Sequence, residues 1–286
     1  MALPVDPLWP RAGDWPLLES ADFGIVGVPT FRTSLSPTRA GTTPAAVREA
    51  LRLYSEPAAA GALARGDFGD IADPDDFPGA AAAAVSALRA RLLVAIGGDN
   101  SLTVPVALGC WGTRIRTAGL VTLDAHHDLR DGHSNGSPVR ELIEAGLAGT
   151  RVVQVGIAEF ANSAEYAKRA ADLGITVVAR GALRSRPIAD VMDEALAIAA
   201  SAGGPVHVDL DVDVCDRSVV PACPAAVPGG ISADELRVAA RTAARHGSVE
   251  SIDIAEIDAT ADAPDGRTVR LAALLILECL AGLAER

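Results

Sequence analysis

The sequence predicts an α/β protein: a single three-layer α/β/α domain over residues 1–286, with helices on both faces of a mostly parallel central sheet. Three observations favour this fold class. Short β-branched runs alternate with alanine-rich helical patterns from end to end. No repeat or low-complexity linker divides the chain. A hydrophobic fraction of 49% in 286 residues is ample for one large buried core.

Seven short apolar runs are the strand candidates, because each is rich in valine, leucine or isoleucine and is bounded by turn residues or a helical pattern. Helical patterns lie between most of these runs, so we expect the strands to pair in parallel. In chain order the runs cover residues 23–28, 92–96, 119–123, 152–155, 177–179, 206–212 and 251–256.

Seven helices are predicted around these strands, over residues 44–53, 80–90, 101–108, 164–172, 189–200, 233–245 and 268–284. Two have recognisable caps. Ser232 precedes the sixth helix with Glu235 three positions later, which is the pattern of a capping box. Gly109 follows the third helix, as a C-terminal cap would.

The charge balance limits the partners that we expect. The chain has 37 acidic and 25 basic side chains, a formal net charge of -12, which disfavours binding to nucleic acid or to a membrane surface. The N-terminus lacks the pattern of a signal peptide, and the apolar passages 79–97 and 271–283 are interrupted by charges, so we expect a cytoplasmic protein. The four cysteines lack paired spacing and are interpreted as buried thiols.

Polar clusters follow the predicted strands at their carboxyl ends, where ligands bind in open α/β sheets. Side chains alternate along a strand, so every second residue of such a cluster projects to the same side. The clusters are residues 97–101, residues 124–128, the aspartates at 209, 211, 213 and 216, and Glu256.

Carboxylates crowded at one edge of a sheet repel one another and need cations to stay ionised together. Oxygen-rich sites with one imidazole suit Mn²⁺, and closely spaced carboxylates indicate two ions. Four carboxylates, those of Asp124, Asp128, Asp211 and Asp213, would balance two divalent ions. Each cluster alone would more often be a helix cap or a solvated turn, but the set in this order favours a metal site.

These clusters resemble the motifs of the ureohydrolase family, which contains arginase, agmatinase and formimidoylglutamase. Gly97 to Asn100 correspond to the family's GGDH motif, and Asp124 to Asp128 match DAHxD completely. Asp211 to Asp216 with Pro221 match DxDxxD, and Glu256 matches the late glutamate, although Asp258-Ala259 departs from the usual Asn-Pro. The resemblance covers nearly the whole chain and implies an arginase-like fold.

The resemblance implies a ligand set for two Mn²⁺ ions. Asp124 and Asp211 would bridge the ions, Asp128 would bind the first, and His126 and Asp213 would bind the second. Asn100 replaces the usual histidine on the first ion, and an amide oxygen should hold that ion more loosely. Three interpretations remain: a binuclear site with one weak position, a single tightly held ion, or a metal-poor non-catalytic relative. Asp209 stands where the family often has serine, so a slip of two residues in the ligand assignment stays open.

The segment after the DAHxD motif most resembles formimidoylglutamase, through Asp128-Leu129-Arg130 and the stretch 136–140. This resemblance assigns substrate contacts to Arg130, Asn135, Ser137 and Arg140. Paired hydrogen bonds from two arginines would suit a substrate with two carboxylates. The alternative is that each arginine only pairs with Asp131 or Glu141 on the surface. His133 is either a proton shuttle or an exposed loop residue.

The function expected from these residues is Mn²⁺-dependent hydrolysis of an amidine, N-formimidoyl-L-glutamate to L-glutamate and formamide, as in histidine breakdown. Asp128 would transfer protons and Glu256 would orient the amidinium. The alternatives are an agmatinase, arginase or guanidino-acid hydrolase of the same family, or a non-catalytic member. A zinc deacetylase or a haloacid-dehalogenase-type phosphatase would leave part of the motif set unexplained. The expected partner is a small anionic substrate derived from an amino acid, and a homo-oligomer is compatible with the family.

Overall fold

The structure, a computed structural model, describes residues 6–18 and 20–286. Residues 1–5, on which the expectation of no signal peptide partly rests, lie outside the described residues. Eight strands form one sheet in the order β2-β1-β3-β8-β7-β4-β5-β6, and all neighbouring strands are parallel. The strands are β1 (Ala21–Val28), β2 (Arg65–Asp70), β3 (Ala90–Gly97), β4 (Gly119–Leu123), β5 (Val152–Ile157), β6 (Thr176–Ala179), β7 (Val206–Asp211) and β8 (Val249–Ala255).

Helices cover both faces of the sheet. Helices α1, α6, α7 and α8 pack on one face and share its apolar core, while α2, α3, α4 and α5 pack on the other. The prediction of a three-layer α/β fold with a parallel sheet is confirmed. The helices are α1 (Thr43–Leu51), α2 (Pro78–Ala87), α3 (Thr103–Trp111), α4 (Pro138–Glu144), α5 (Ala164–Asp172), α6 (Ile188–Ala199), α7 (Ala233–Arg245) and α8 (Arg267–Ala284).

Two elements are absent from the sequence-based prediction. Strand β2 has the sequence RGDFGD and lies at the edge of the sheet, where only one neighbouring strand pairs with it. It therefore needs little of the apolar alternation by which buried strands are recognised. Helix α4 has only 7 residues, too few for a helical period to stand out.

The two predicted caps have different outcomes. Ser232 and Glu235 form the expected capping box at the start of α7. The prediction for Gly109 is wrong, because α3 continues past it and ends at Gly112, whose φ of 53° suits glycine. Gly109 instead lets α3 approach α2: a Cβ there would lie 2.6 Å from the Ala82 carbonyl oxygen.

The strand order decides where the polar motifs meet. Strands β3, β8, β7 and β4 are successive neighbours in the middle of the sheet, although β3 and β8 are far apart in the chain. Because all four run in the same direction, their carboxyl ends lie along one edge. All four polar clusters therefore converge there. Among the described residues, no helix has both the length and the apolar character needed to cross a membrane.

Candidate metal centre and substrate cavity

Three side chains from two loops form a compact cluster at the carboxyl edge of the sheet. One ligand atom from each of Asp124, His126 and Asp213 lies within 4.8 Å of the others. The Nδ1 atom of His126 is 2.7 Å from Asp213 Oδ2 and 3.5 Å from Asp124 Oδ1. Asp124 and Asp213 are buried, whereas the His126 side chain is 30% exposed. The imidazole is thus the side of the cluster that substrate and solvent can reach.

Backbone N–H groups fix the carboxylates of this cluster. The N–H of His126 donates to Asp124 Oδ1 at 2.6 Å, and the N–H of Ala125 donates to Asp213 Oδ1 at 2.8 Å. The N–H of Asp213 in turn donates to Asp211 Oδ1 at 2.8 Å. Each carboxylate therefore has one oxygen anchored and one left for another partner. This is the arrangement needed to hold a cation in a defined place.

Asn100, Asp128 and Glu256 form a second part of the site. Asn100 Nδ2 donates to Asp128 Oδ2 at 2.6 Å, while Thr103 Oγ1 donates to Asn100 Oδ1 at 2.9 Å. Glu256 Oε1 accepts from the Asn100 backbone N–H at 2.8 Å and from Asn135 Nδ2 at 2.7 Å. These bonds join three loops that are distant in sequence.

Two of these acidic residues have left-handed backbone conformations. Asp128 has φ 52° and Glu256 has φ 63°. Such angles are uncommon for residues other than glycine, and they persist only where the surrounding structure enforces them. Both residues lie directly after their metal-motif neighbours at the edge of the sheet. The unusual conformations turn both side chains toward one cavity, which they line together.

Burial raises the pKa of several carboxyl groups in the cluster. The pKa of Asp124 rises to about 6, first because it is buried and second because Asp213 is near. Burial raises the pKa of Glu256 to about 7, although hydrogen bonds from neighbouring N–H groups oppose the shift. Burial also places the pKa values of Asp128 and Asp211 well above the usual range. Without a cation, protons take its place on part of the cluster.

His126 and Asp213 respond to each other. Burial alone would lower the pKa of His126, but its hydrogen bonds to Asp124 and Asp213 outweigh burial and raise it to about 12. Burial would raise the pKa of Asp213, but the hydrogen bond from His126 outweighs it and the pKa is lowered. A protonated imidazole therefore supplies positive charge to the carboxylates in the metal-free protein.

The donor set fits a divalent cation such as Mn²⁺. Most donors are carboxylate oxygens and one is an imidazole, which is the chemistry of manganese sites and unlike the thiolate sites of zinc. Asp124 Oδ2 is buried and has no hydrogen-bond partner among the described residues. A buried, unpartnered carboxylate oxygen is costly, and a cation would remove that cost.

A cavity of about 250 Å³ opens over the cluster. Arg130 lines it, with an exposed guanidinium that makes no hydrogen bond or ion pair within the described ranges 6–18 and 20–286. The stem of Arg130 lies on Gly136, where a Cβ would come within 2.7 Å of Arg130 Cδ. A glycine at that position lets the arginine lie against the loop. Arg130 is therefore available to a ligand in the cavity.

The structure does not place Ser137, Arg140 or His133 on this cavity, which corrects the expected direct contacts of Ser137 and Arg140. Ser137 is fully buried and donates to the Ser134 carbonyl oxygen. Arg140 donates to the carbonyl oxygens of Arg130 and Gly132 and pairs with Glu144, so its guanidinium is already satisfied. His133 is exposed and contacts Glu141. These three side chains stabilise the loop that carries Arg130 and Asn135.

Two further aspartates of the sequence motifs lie outside the cavity. Asp209 is on β7, two residues before Asp211, and is buried beneath the ligand cluster. The cavity is lined by Asp211 and Asp213 and not by Asp209. Asp216 accepts hydrogen bonds from the N–H groups of Ser218 and Gly229, and these lower its pKa to about 2. Asp216 therefore builds a turn.

Sequence reasoning did not assign several cavity residues. Asn162, Ser163 and Tyr166 come from the loop and helix after β5, and Leu35 and Ser36 come from the loop after β1. The loop after β5 follows the carboxyl end of a central strand, so the rule that located the acidic clusters also indicates it. The loop after β1 has no comparable signal, because no cluster of ionisable residues distinguishes it.

Comparisons with known proteins agree on one family. The model of the arginase family matches residues 21–282. The formimidoylglutamase of Halalkalibacterium halodurans is 33% identical over 279 residues, covering 91% of this chain and 86% of the relative. The Bacillus subtilis formimidoylglutamase is 31% identical, with the same coverage of 91% and 86%.

Solved structures match the fold along almost its whole length. The crystal structure of Bacillus subtilis formimidoylglutamase superposes with a TM-score of 0.90 at 27% identity, covering 99% of this chain and 94% of that one. A Trypanosoma cruzi formiminoglutamase with Mn²⁺ has a TM-score of 0.83 at 23% identity, with coverage of 93% and 94%, and supports the fold alone. The chain therefore belongs to the arginase family.

Proposed function

We propose that this protein hydrolyses N-formimidoyl-L-glutamate to L-glutamate and formamide with the help of Mn²⁺. The observation that carries the proposal is that an unpaired arginine, Arg130, and a buried carboxylate cluster face the same cavity. The cluster suits metal-dependent hydrolysis, and the arginine suits the anionic tail of the substrate. The name of both curated relatives that align with 91% of the chain supports the same reaction.

The residues proposed to hold two Mn²⁺ ions divide into two groups. Asp124, His126 and Asp213 belong to the second position, and Asp124 and Asp211 are shared between both. Asp128 and Asn100 complete the first position, where the neutral amide makes binding weaker. When bound, the ions supply Lewis acidity and lower the pKa of water enough to provide a nucleophile near neutral pH.

Asp128 and Glu256 are proposed to act directly on the substrate. Water adds to the formimino carbon, the bond from that carbon to the glutamate nitrogen breaks, and the nitrogen leaves with an added proton. Asp128 is the proton carrier, because it lines the cavity and its raised pKa allows it to be protonated near neutral pH. Glu256 accepts hydrogen bonds from the amidinium of the substrate and so orients it.

Arg130 is proposed to bind a carboxylate of the glutamate portion. A guanidinium donates two parallel hydrogen bonds to a carboxylate, which fixes both its position and its orientation. Arginine and agmatine carry a cationic group at the far end from the guanidinium that reacts, or one carboxylate beside such a group. Arg130 would disfavour a cationic end by charge repulsion. The substrate preference therefore depends on one side chain.

A substrate panel tests the proposal. The purified protein with added Mn²⁺ is offered N-formimidoyl-L-glutamate, arginine, agmatine and 4-guanidinobutyrate, and the amide or urea product is measured. We expect formimidoylglutamate to have the highest kcat/KM by at least about tenfold, the value of one charge-assisted hydrogen bond. A preference for arginine or agmatine would refute the role of Arg130.

Two controls make the panel decisive. Protein dialysed against EDTA should lose activity and regain it with Mn²⁺. Full activity with no bound metal would contradict the metal-dependent mechanism. No turnover of any of the four substrates, with metal bound, would favour the non-catalytic interpretation.

A further inference from the structure

Asn162 contacts both sides of the proposed metal ligand His126. Its Nδ2 donates to the Ala125 carbonyl oxygen at 2.8 Å, and its Oδ1 accepts from the N–H of His127 at 3.0 Å. Nδ2 also donates to the Ala158 carbonyl oxygen at 3.0 Å, within its own loop. A single side chain thus fixes the residue before His126, the residue after it, and the loop from which it projects.

Gln154 holds the same segment from β5. Its Nε2 donates to the His127 carbonyl oxygen at 2.8 Å, and its Oε1 lies 2.7 Å from His127 Nδ1. Gln154 is fully buried in the sheet, where an amide without partners would be costly. Both polar atoms of its side chain are therefore used on one residue, His127.

The segment held in this way needs such support. Strand β4 ends at Leu123, so the residues that follow have left the regular ladder of the sheet. Two backbone contacts tie the segment to β5 and its loop: the N–H of Asp124 donates to the Val155 carbonyl oxygen, and the N–H of Ala158 donates to that of Ala125. The hydrogen bonds that surround His126 on its C-terminal side come instead from the side chains of Asn162 and Gln154.

We propose that Asn162 and Gln154 are positioning residues for the second metal position, acting through the backbone around His126. The inference rests on the proposed Mn²⁺ site. Asn162 and Gln154 do not bind the ion; they hold the chain so that the imidazole faces Asp124 and Asp213 before metal arrives. Hydrogen-bonded partners behind metal ligands commonly determine how tightly the ion is held.

The test measures Mn²⁺ affinity instead of turnover. The full chain is titrated with Mn²⁺, and the free ion is followed by its electron paramagnetic resonance signal. Asn162→Ala removes the bonds on both sides of His126, and Gln154→Met removes both bonds to His127 with little change in volume. We expect each variant to weaken the tighter class of Mn²⁺ sites by about 10- to 100-fold.

Ser232→Ala is the matched control, because it removes the hydroxyl that caps α7 and touches no residue of the site. It should lower the melting temperature and leave Mn²⁺ affinity within about twofold of the wild type. If Asn162→Ala does not fold, Gln154→Met decides the question.

The two levels of the hypothesis fail differently. Equal Mn²⁺ affinity in the wild type and in both folded variants would overturn the positioning role, as would an equal loss in Ser232→Ala. A wild-type chain that binds no Mn²⁺ would instead overturn the proposed metal-dependent reaction, and the positioning role with it.

Discussion

Asn100 donates its side-chain amide to Asp128, with Nδ2 and Oδ2 2.6 Å apart, while its Oδ1 accepts a hydrogen bond from Thr103. The amide therefore presents N–H groups, which cannot ligate a cation, toward a proposed metal ligand. To bind an ion, Asn100 must turn its oxygen inward and give up the hydrogen bond to Asp128. This relationship gives a physical reason for one metal position to be weaker than the other.

Replacing Asn100 with histidine should strengthen that position. A neutral imidazole offers a nitrogen lone pair to Mn²⁺ and does not have to break an amide hydrogen bond with Asp128. We expect Asn100→His to bind the weaker Mn²⁺ ion about tenfold more tightly, measured by titration with detection of free Mn²⁺. Asn100→Ala, which offers no ligand, should bind it no better than the wild type. An unchanged affinity in Asn100→His would remove Asn100 from the proposed ligand set.

Asp128→Asn should nearly abolish turnover. Asparagine keeps the size of the side chain but cannot carry a proton to the departing nitrogen, so kcat should fall by about 10²- to 10⁴-fold. The tighter Mn²⁺ ion should remain, because Asp124, His126 and Asp213 are unaltered. Kinetics and metal content are measured on the same preparation. Wild-type turnover with metal bound would contradict the role of Asp128.

Arg130→Ala should mainly affect substrate binding. Loss of a charge-assisted contact costs about 2 kcal/mol, so kcat/KM should fall by about 10- to 100-fold, chiefly through KM. Arg130→Lys should recover only part of the loss, since lysine cannot donate the paired bonds. Arg91→Ala is the control, because Arg91 is an exposed arginine paired with Asp22 at the opposite edge of the sheet. Equal effects in the two alanine variants would refute a specific role for Arg130.

The stability of the metal-free protein should decrease as pH rises from 5 to 8. Burial raises the pKa of Asp124 to about 6 and that of Glu256 to about 7, so the folded chain keeps protons that the unfolded chain releases at lower pH. Where the folded state binds more protons, the free energy of unfolding falls as pH increases. His126, with its pKa raised to about 12, adds to the same trend above its ordinary value.

Thermal unfolding in EDTA at several pH values measures this trend. Glu256→Gln should flatten it, because glutamine does not titrate. Mn²⁺ competes with protons for the same carboxylates, so it should raise the melting temperature more at pH 8 than at pH 5. A metal-free protein that is more stable at pH 8 than at pH 5 would contradict the pKa shifts of this cluster.

Gly98→Ala should destabilise the fold by about 1–3 kcal/mol through overpacking. A Cβ at position 98 would lie 1.9 Å from the Thr30 carbonyl oxygen, which is backbone and cannot move aside cheaply. Gly79 is the matched control: it lies in α2 with open space around it, so Gly79→Ala should stabilise by up to about 1 kcal/mol. Urea unfolding compares the two variants, and equal free energies of unfolding would show that the contact at Gly98 is not limiting.

Sequence reasoning predicted most of the central sheet and failed where the local signal was weak. Buried parallel strands such as β3, β4 and β7 carry apolar runs that are recognisable without any neighbour. Edge strand β2 is partly polar and becomes a strand only because β1 offers it a ladder. The end of α3 was misplaced for a related reason, since Gly109 serves the contact with α2 and not the end of a helix.

The candidate site divides in the same way. The sequence by itself determined the acidic motifs and their places after strands, because residue type and spacing along the chain are local properties. Tertiary structure alone decided that Arg130 faces the cavity while Arg140 is used by carbonyl groups, and that Asn162 holds the segment around His126. The physical reason is that a side chain's partner depends on which distant loop the strand order brings beside it.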